Sequence, residues 1–365
     1  MKMRGGMYDL AVIGGGASGL CAAITAFRRG KSVVVFEKEK RTGQKILVSG
    51  NGKCNLSNTD MRVEKYNTRF VGDIIKTDVV DFFGEIGLMT KNVGNRVYPY
   101  SESAADVLNV LRAALPADAE RTDCGVREIV ESDGFFSVNG ENARNVALCT
   151  GSAATKGTES YCLYEKFGHR VTALRPSIVP LFTDVRFLAG LDGIRVKADV
   201  SLIKEGMKIY TESGEILFRT NGISGIAAMM LSTYIARNGG VYGVSIDFAP
   251  DKTEREIEVF LNRFSPEGIL RKAVARQVAL YAESSGLPLC RALKDFRVGG
   301  ARCAGKNAAQ VMCGGLDTSQ FDRNLESRLK KGLYACGEAL DVDGECGGYN
   351  LHFAFASGIK VGESI

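Results

Sequence analysis

The chain has only two histidines, His169 and His352. Two cannot furnish a multi-histidine metal centre, so no metal is expected. Its ten cysteines include no CxxC pair, which argues against zinc ribbons and thioredoxin-like redox motifs. Several stand in apolar company, as in Ala147-Leu148-Cys149, the usage of reduced thiols in a cytoplasmic protein. No apolar run approaches the roughly 18 residues of a membrane span. The opening MKMRGGMYDLAVIGGG carries two positive charges, but Asp9 and the glycines interrupt it too early for a signal peptide. Lysine and arginine form no dense block, and the net charge of +5 is spread along the sequence. No nucleic-acid partner and no membrane association are therefore expected. A small anionic ligand such as a dinucleotide suits a mildly positive chain.

Glycine, by contrast, is plentiful. The 365 residues include 43 glycines, above the usual share of about 7%. They gather at 14–19, 43–52 and 337–348, and clustered glycines let backbone approach a ligand closely. The length allows two or three domains. A content of 45% apolar and 24% charged residues is ordinary for a globular chain.

Tyr8–Ile13 reads as a buried strand, 17–29 as an alanine-rich helix, and 32–36 as a second, β-branched strand. This βαβ unit carries Gly14-Gly15-Gly16-Ala17-Ser18-Gly19, a G-x-G-x-x-G between strand and helix. Gly14 permits the tight turn, Gly16 admits a pyrophosphate to the backbone, and Gly19 lets helix and strand pack closely. At the helix start, around Ala17 and Ser18, free N–H groups and partial positive charge face the phosphates. Glu37, with Lys38 beside it, follows the second strand 18 residues past Gly19. That is near the offset of about 20 at which an acidic residue holds the ribose hydroxyls. The motif alone does not separate FAD from NAD.

Residues 42–58 read as loop or helix edge, and 104–115 as a helix. Strands are expected at 126–130, 135–138 and 146–149, the first two joined at Ser132-Asp133-Gly134, and a helix over 163–167. After about Leu174 come short strands at 181–185, 197–204, 208–211 and 216–220, with a turn signal at Ser213-Gly214. Helices follow at 224–237, 253–264 and 270–284. Rossmann-like character returns near Ala308, with a strand at 333–336 and a helix at 349–359.

The second glycine cluster is more specific. Thr42-Gly43-Gln44-Lys45-Ile46-Leu47-Val48-Ser49-Gly50-Asn51-Gly52-Lys53-Cys54-Asn55-Leu56-Ser57-Asn58 resembles the pattern G-(R/K)-K-x-x-x-S-G-G-G-(R/K)-C-N-x-(S/T)-N. That signature belongs to a flavoprotein family, the NAD(P)/FAD-dependent oxidoreductases also known as aminoacetone-oxidase-family FAD-binding enzymes. A bile-acid 3-dehydro-Δ4,6-reductase is one of its members. Further blocks resemble the family in order, at 94–99, 168–169 with 176–181, 214–218 with 222–225, 337–344 and 347–350. The sequence departs from the pattern at Gly151-Ser152, where Gly-Gly is usual, in the shorter stretch 156–161, and at His352, where Gln is common.

The resemblance implies an α/β fold, a Rossmann-type FAD-binding domain split in sequence around an inserted β-barrel-like and helical domain. Its parts would be 1–173 and 309–365, flanking 174–308. The cofactor implied is FAD, wrapped by the loop 45–58. In that loop Lys45 and Lys53 can offset phosphate charge, Asn55 can hydrogen-bond a ring edge, and Ser49, Gly50 and Cys54 are expected to bind the cofactor as well. Val126 would read adenine through its backbone, and Thr150 and Gly151, where a strand ends, would bind the cofactor too. Glu338, after Gly337, would accept bonds from the ribityl or phosphate-adjacent hydroxyls. Gly348, Tyr349 and Asn350 would open a helix whose N–H groups face the flavin N1/O2 edge, where negative charge grows on reduction.

The expected function is that of an FAD-dependent oxidoreductase passing hydride through flavin N5 to or from a small or medium organic substrate, bound in an interdomain cleft. Only one G-x-G-x-x-G occurs, so NAD(P)H would act as a transient reductant without a domain of its own. His352 is the one catalytic candidate, for proton transfer. Tyr98, Tyr161 and Tyr349 read as aromatic core, and Cys54 and Cys346 as packed thiols. Two rivals stay open: a flavin-bound redox sensor or accessory protein with no substrate of its own, and an RNA-modifying flavoenzyme, which would want a basic stripe. The sequence names neither substrate nor oligomeric state.

Overall fold

A computed structural model describes residues 6–154 and 160–365; most of the stretch 156–161 noted above lies outside the described residues. The chain divides into two compact units, Met1–Leu174 with Met312–Ile365, and Arg175–Val311.

The first unit is built on one mixed sheet. Its strand order is Glu120–Arg121, Val33–Phe36, Tyr8–Ile13, Glu141–Leu148, Phe135–Val138 and Ile129–Ser132, with Leu333–Ala335 also paired to Glu141–Leu148. The pairs on both sides of Tyr8–Ile13, and the pair with Leu333–Ala335, are parallel. A parallel strand is covered on both faces, which is why Val33–Phe36 is apolar throughout and wholly buried. Register aligns Ile13 with Phe36 and Leu148, and Leu148 with Ala335. Gly14, Glu37, Cys149 and Cys336 therefore leave one sheet edge side by side. The carboxyl ends of parallel strands are where open α/β sheets bind ligands.

Two helices, Ala17–Arg28 and Tyr349–Ser364, cross on small residues. A Cβ on Gly358 would lie 2.1 Å from the Ser18 carbonyl oxygen, and one on Gly362 would lie 2.7 Å from that of Ala22. Four residues apart, these glycines share a helix face. The packing they allow explains why the helix continues past residue 359 to Ser364. The Gly337 N–H donates to Ser357 Oγ at 2.9 Å, tying the last strand's turn to the same helix. The strand expected from 126 begins only at Ile129. Residues 123 and 124 instead run beside Glu37–Glu39, with Asp123 N–H on Glu39 O and Cys124 N–H on Glu37 O.

The second unit holds a closed six-stranded barrel in the order Leu181–Phe182, Gly222–Ser224, Met207–Arg219, Arg195–Lys204, Tyr242–Asp247, Phe296–Cys303. Helices Ile226–Asn238, Glu254–Leu261, Lys272–Ser285 and Leu289–Lys294 complete it. Phe187, Tyr281, Phe248 and Phe296 pack ring to ring in its core. The Ser213-Gly214 turn signal is overturned, because Met207–Arg219 runs through it as one strand. Ser213 sits opposite Asp199 and donates to its carboxylate at 2.5 Å. The reversal falls at Glu205-Gly206, both with positive φ.

Candidate functional site

The glycine turn after the first strand leaves room for no side chain where the backbone folds back. Gly14 has φ +103, and a Cβ there would lie 2.6 Å from the Cys149 carbonyl oxygen. A Cβ on Gly19 would meet the Gly14 carbonyl oxygen at 1.9 Å. Gly16, the N-cap of Ala17–Arg28, differs: a Cβ there would meet nothing within 4 Å. The start of a 12-residue helix is thus open beside a residue that brings no side chain of its own, the arrangement in which helix N–H groups hold phosphate oxygens. Ala17 is half-buried, and the Ser18 side chain is buried in the helix crossing.

Glu37 braces this turn. Its Oε2 accepts the Gly15 N–H at 2.9 Å and its Oε1 accepts the Glu39 N–H at 2.9 Å. Each carboxylate oxygen keeps a further lone pair for a hydroxyl. Val126, half-buried, follows Asp123 and Cys124, whose N–H groups donate to Glu39 O and Glu37 O. Lys38 is exposed, with its ammonium 3.9 Å from Glu39 Oε1.

The loop 43–58 needs its glycines too. Gly43 has φ +74 and packs where a Cβ would strike Leu108 at 2.1 Å. Gly50, Asn51, Gly52 and Cys54 all have positive φ, and Ser49 Oγ donates to Ile46 O at 2.6 Å. Cys54 is fully buried, and burial pushes its thiol up to about 11, so it is neither a thiolate nor exposed to a partner at neutral pH. Lys53 forms an ion pair with Glu102 at 2.5 Å, and Lys91 joins the same carboxylate at 2.8 Å. Lys45 turns the other way, to 3.5 Å from Glu338 Oε2.

Glu338 gathers a second group of candidates. It also accepts the Ser152 hydroxyl at 3.2 Å. Gly151, with φ +74, follows Thr150 and lies where a Cβ would be 3.5 Å from Lys45 Nζ and 3.8 Å from Glu338 Oε2. A Cβ on Gly337 would meet Ser18 Oγ at 2.7 Å. Tyr161 is buried, and burial together with Glu338 raises its pKa. Directly beneath, the Cys149 and Cys336 thiols lie 2.9 Å apart, both buried.

The last helix presents the third element. Its N-cap, Gly348, has φ +102, and a Cβ there would lie 2.6 Å from Ser57 O and 3.0 Å from Asn55 Nδ2. Asn55 is buried, and its Oδ1 has no partner among the described residues. An orphaned amide oxygen beside an uncapped helix start calls for a polar ligand. Asn350 is spent on the loop, exchanging two hydrogen bonds with Gly344 at 2.7 and 2.8 Å. Tyr349 is buried, and its hydroxyl donates to Asp60 O at 3.3 Å.

His352 is buried beneath this turn, and both ring nitrogens are engaged. Nε2 lies 3.0 Å from Ile75 O, a group that can only accept, so Nε2 carries the proton. Nδ1 is then the acceptor for the Ser57 hydroxyl at 2.8 Å. Burial lowers its pKa.

Sequence reasoning passed over a cleft of about 520 Å³ beside the helix start. Strands Ser57–Asn58, Arg96–Pro99 and Thr90–Val93 form a small antiparallel sheet. Asn58 and Val93 sit opposite Arg96, and Tyr98 follows two residues on, so all four share a face. That face lines the cleft, opposite Glu345–Gly347 and Tyr349. Val97 and Ser57, on the other face, are buried. The Asn58 amide closes the floor by donating to Gly347 O at 2.9 Å. Tyr98 is thus cleft lining rather than aromatic core. Alternation along the strand was the signal that could have found this face.

A family model described as the HI0933-like protein Rossmann domain matches residues 8–364. A 3-dehydro-bile acid delta(4,6)-reductase of Clostridium scindens is 32% identical, over 98% of this chain and 99% of that protein. A ribosomal RNA dihydrouridine synthase of Haemophilus influenzae is 28% identical, over 97% of each. Among solved structures, 3-ketosteroid-delta4-(5alpha)-dehydrogenase of Rhodococcus jostii shares the fold, with TM-score 0.51 and 15% identity over 98% of this chain and 96% of that one.

Proposed function

The chain belongs to the HI0933-like Rossmann family of FAD-dependent oxidoreductases, and we propose that it reduces a conjugated carbon–carbon double bond in a small or medium organic molecule. One observation carries the flavin part of the reading: the orphaned Asn55 side-chain carbonyl stands beside the Gly348 helix start, in the same unit as the open, glycine-capped helix start at Gly16. The residues fit a long, flat, phosphate-bearing cofactor. FAD bound there would supply hydride through flavin N5.

The protein's own part is binding and charge. The helix start at Gly16–Ser18 holds the pyrophosphate, with Gly14 and Gly19 keeping the turn tight. Glu37 holds the ribose and Val126 the adenine. Lys45, Thr150, Gly151 and Glu338 line the ribityl side, and Ser49, Gly50 and Asn55 take the ring edge. The N–H groups of Tyr349 and Asn350, at the start of a 16-residue helix, favour negative charge on the ring's N1/O2 side. Lys53 is spent on Glu102 and Lys38 on the surface, so neither is assigned to the phosphates. His352, with both nitrogens occupied, holds the Ser57 strand against the last helix and does not move protons.

Two of the similar proteins are named for saturating a double bond, one in a steroid acid and one in a uridine. The higher identity lies with the steroid reductase, and this favours a small-molecule acceptor. Membership of an oxidoreductase family sets the sensor reading aside. No second G-x-G-x-x-G turn occurs, so NADH or NADPH would reduce the protein transiently, in a ping-pong scheme. Protein loaded with its cofactor is denatured and the released flavin chromatographed. FAD is expected, and FMN alone would overturn the assignment. Anaerobic stopped-flow reduction is expected to be weak and saturable, with little discrimination between the two nucleotides. A tight ternary complex with one nucleotide and the acceptor would overturn the shared-site scheme.

A second reading has an observation of its own. Residues 175–311 hold 19 Lys and Arg against 14 Asp and Glu, the whole of the net charge of +5. The charge that looks spread along the sequence is thus confined to one unit. An RNA acceptor would produce binding to a ribosomal RNA fragment that weakens steeply with salt.

A further inference from the structure

The cleft beside the last helix contains one cation and one anion on its walls, and they are not equivalent. Glu345 is neutralised by Lys65 at 2.7 Å. The Arg96 guanidinium has no hydrogen-bond or ion-pair partner among the described residues. It is half-buried and projects from a strand whose opposite face is packed, so its backbone is fixed. The Tyr98 ring shares that face, two residues along. Asn58, opposite Arg96, is locked by its bond to Gly347. The opposite wall, Gly347 and Tyr349, is also the start of the helix assigned to the flavin ring.

We propose that this cleft is the acceptor site and that Arg96 selects acceptors bearing a carboxylate, so that the enzyme prefers organic acids over their neutral counterparts. The inference rests on the reductase reading given above and adds the substrate's charge to it. A guanidinium presents a planar fork of donors that matches a carboxylate in a bidentate pair, and half-burial strengthens the pair by excluding water. A net charge left unpaired in a cleft of about 520 Å³, within the roughly 300–1,000 Å³ range of small-molecule sites, is the feature that a counter-charge on the ligand would answer. The Tyr98 ring and Val93 supply apolar wall for the rest of the molecule. The nearby Asp60 does not compete for the guanidinium, because Arg62 holds it at 2.7 Å.

The test uses the FAD-loaded protein and two probes, a 3-oxo-Δ4 steroid with a side-chain carboxylate and its methyl ester. Equilibrium binding of each is measured by calorimetry for the wild type, Arg96→Gln and Arg96→Lys, with flavin content determined for all three. The wild type is expected to bind the acid more tightly than the ester. Arg96→Gln should weaken the acid roughly ten- to a hundredfold, as for loss of a charged hydrogen-bond partner, and leave the ester and the flavin content unchanged. Arg96→Lys should recover part of the preference. A wild type that binds neither probe, or binds both equally, overturns the inference, and so does an equal loss for acid and ester. A loss confined to NADPH, with NADH unaffected, would give Arg96 to a nucleotide phosphate and overturn it as well. Turnover is scored separately: acid-selective binding without any reduction of the double bond would leave Arg96 as the carboxylate reader and refute the reductase reading.

Discussion

Glu37→Ala separates two roles that one carboxylate fills. Glu37 accepts the Gly15 and Glu39 N–H groups, each at 2.9 Å. The bond to Gly15 is partly buried and the bond to Glu39 is exposed. Hydrogen bonds to charged groups contribute about 1.5–3 kcal/mol when shielded and less in water. Their joint loss should therefore cost about 2 kcal/mol, mostly from Gly15. For the unit that carries Glu37, Met1–Leu174 with Met312–Ile365, that lowers the apoprotein Tm by roughly 4–8 °C. Cofactor affinity should fall further, because the ribose hydroxyls lose a charged acceptor. A loss of about 1.5–3 kcal/mol raises Kd roughly 10- to 150-fold. Glu37→Gln keeps one carbonyl acceptor and should lose about half the stability but most of the affinity. Thermal unfolding of the apoprotein and FAD titration by flavin fluorescence measure the two effects. An apoprotein Tm that falls while Kd stays within about threefold would refute the reasoning, since the carboxylate would then brace the turn and nothing more.

Other consequences follow from burial. Thiol alkylation at neutral pH, read by mass spectrometry, should modify exposed Cys162 first and spare Cys54, whose thiol is held at about 11; labelling of Cys54 at the same rate would contradict the packed-thiol reading. His352 is neutral and buried, with its folded-state pKa below the usual value. Its contribution to stability is therefore full above about pH 6.5 and is lost as pH falls through the lowered folded pKa. Urea midpoints between about pH 7.5 and 5 should fall less steeply for His352→Gln than for wild type, and parallel slopes would refute this.

The βαβ start was legible because Val33-Val34-Val35-Phe36 has the composition of a strand covered on both sides, and because G-x-G-x-x-G lay between strand and helix. The Rossmann-type fold and the barrel that follows it were read correctly from that pattern and from the family-like blocks. Other features depend on partners far away in sequence. Ser213-Gly214 looked like a turn, but pairing with Arg195–Lys204 holds it extended. The helix crossing on Gly358 and Gly362 needs Ser18 and Ala22 from the other end of the chain. Lys53 looked available until Glu102 met it, and His352 until Ile75 and Ser57 took both nitrogens. Arg96 and Tyr98 became a cleft face only when strand register set which way alternate residues point.

The central claim is that bound FAD delivers hydride to a conjugated double bond. Its most direct test is a single anaerobic turnover. FAD-loaded protein is photoreduced, mixed with a 3-oxo-Δ4,6 steroid acid in excess, and followed by flavin absorbance with the product analysed by mass spectrometry. The account predicts saturable flavin reoxidation matched by an equal amount of steroid that has gained one hydride and one proton. Flavin that stays reduced with steroid present, and reoxidises only when air is admitted, would contradict it.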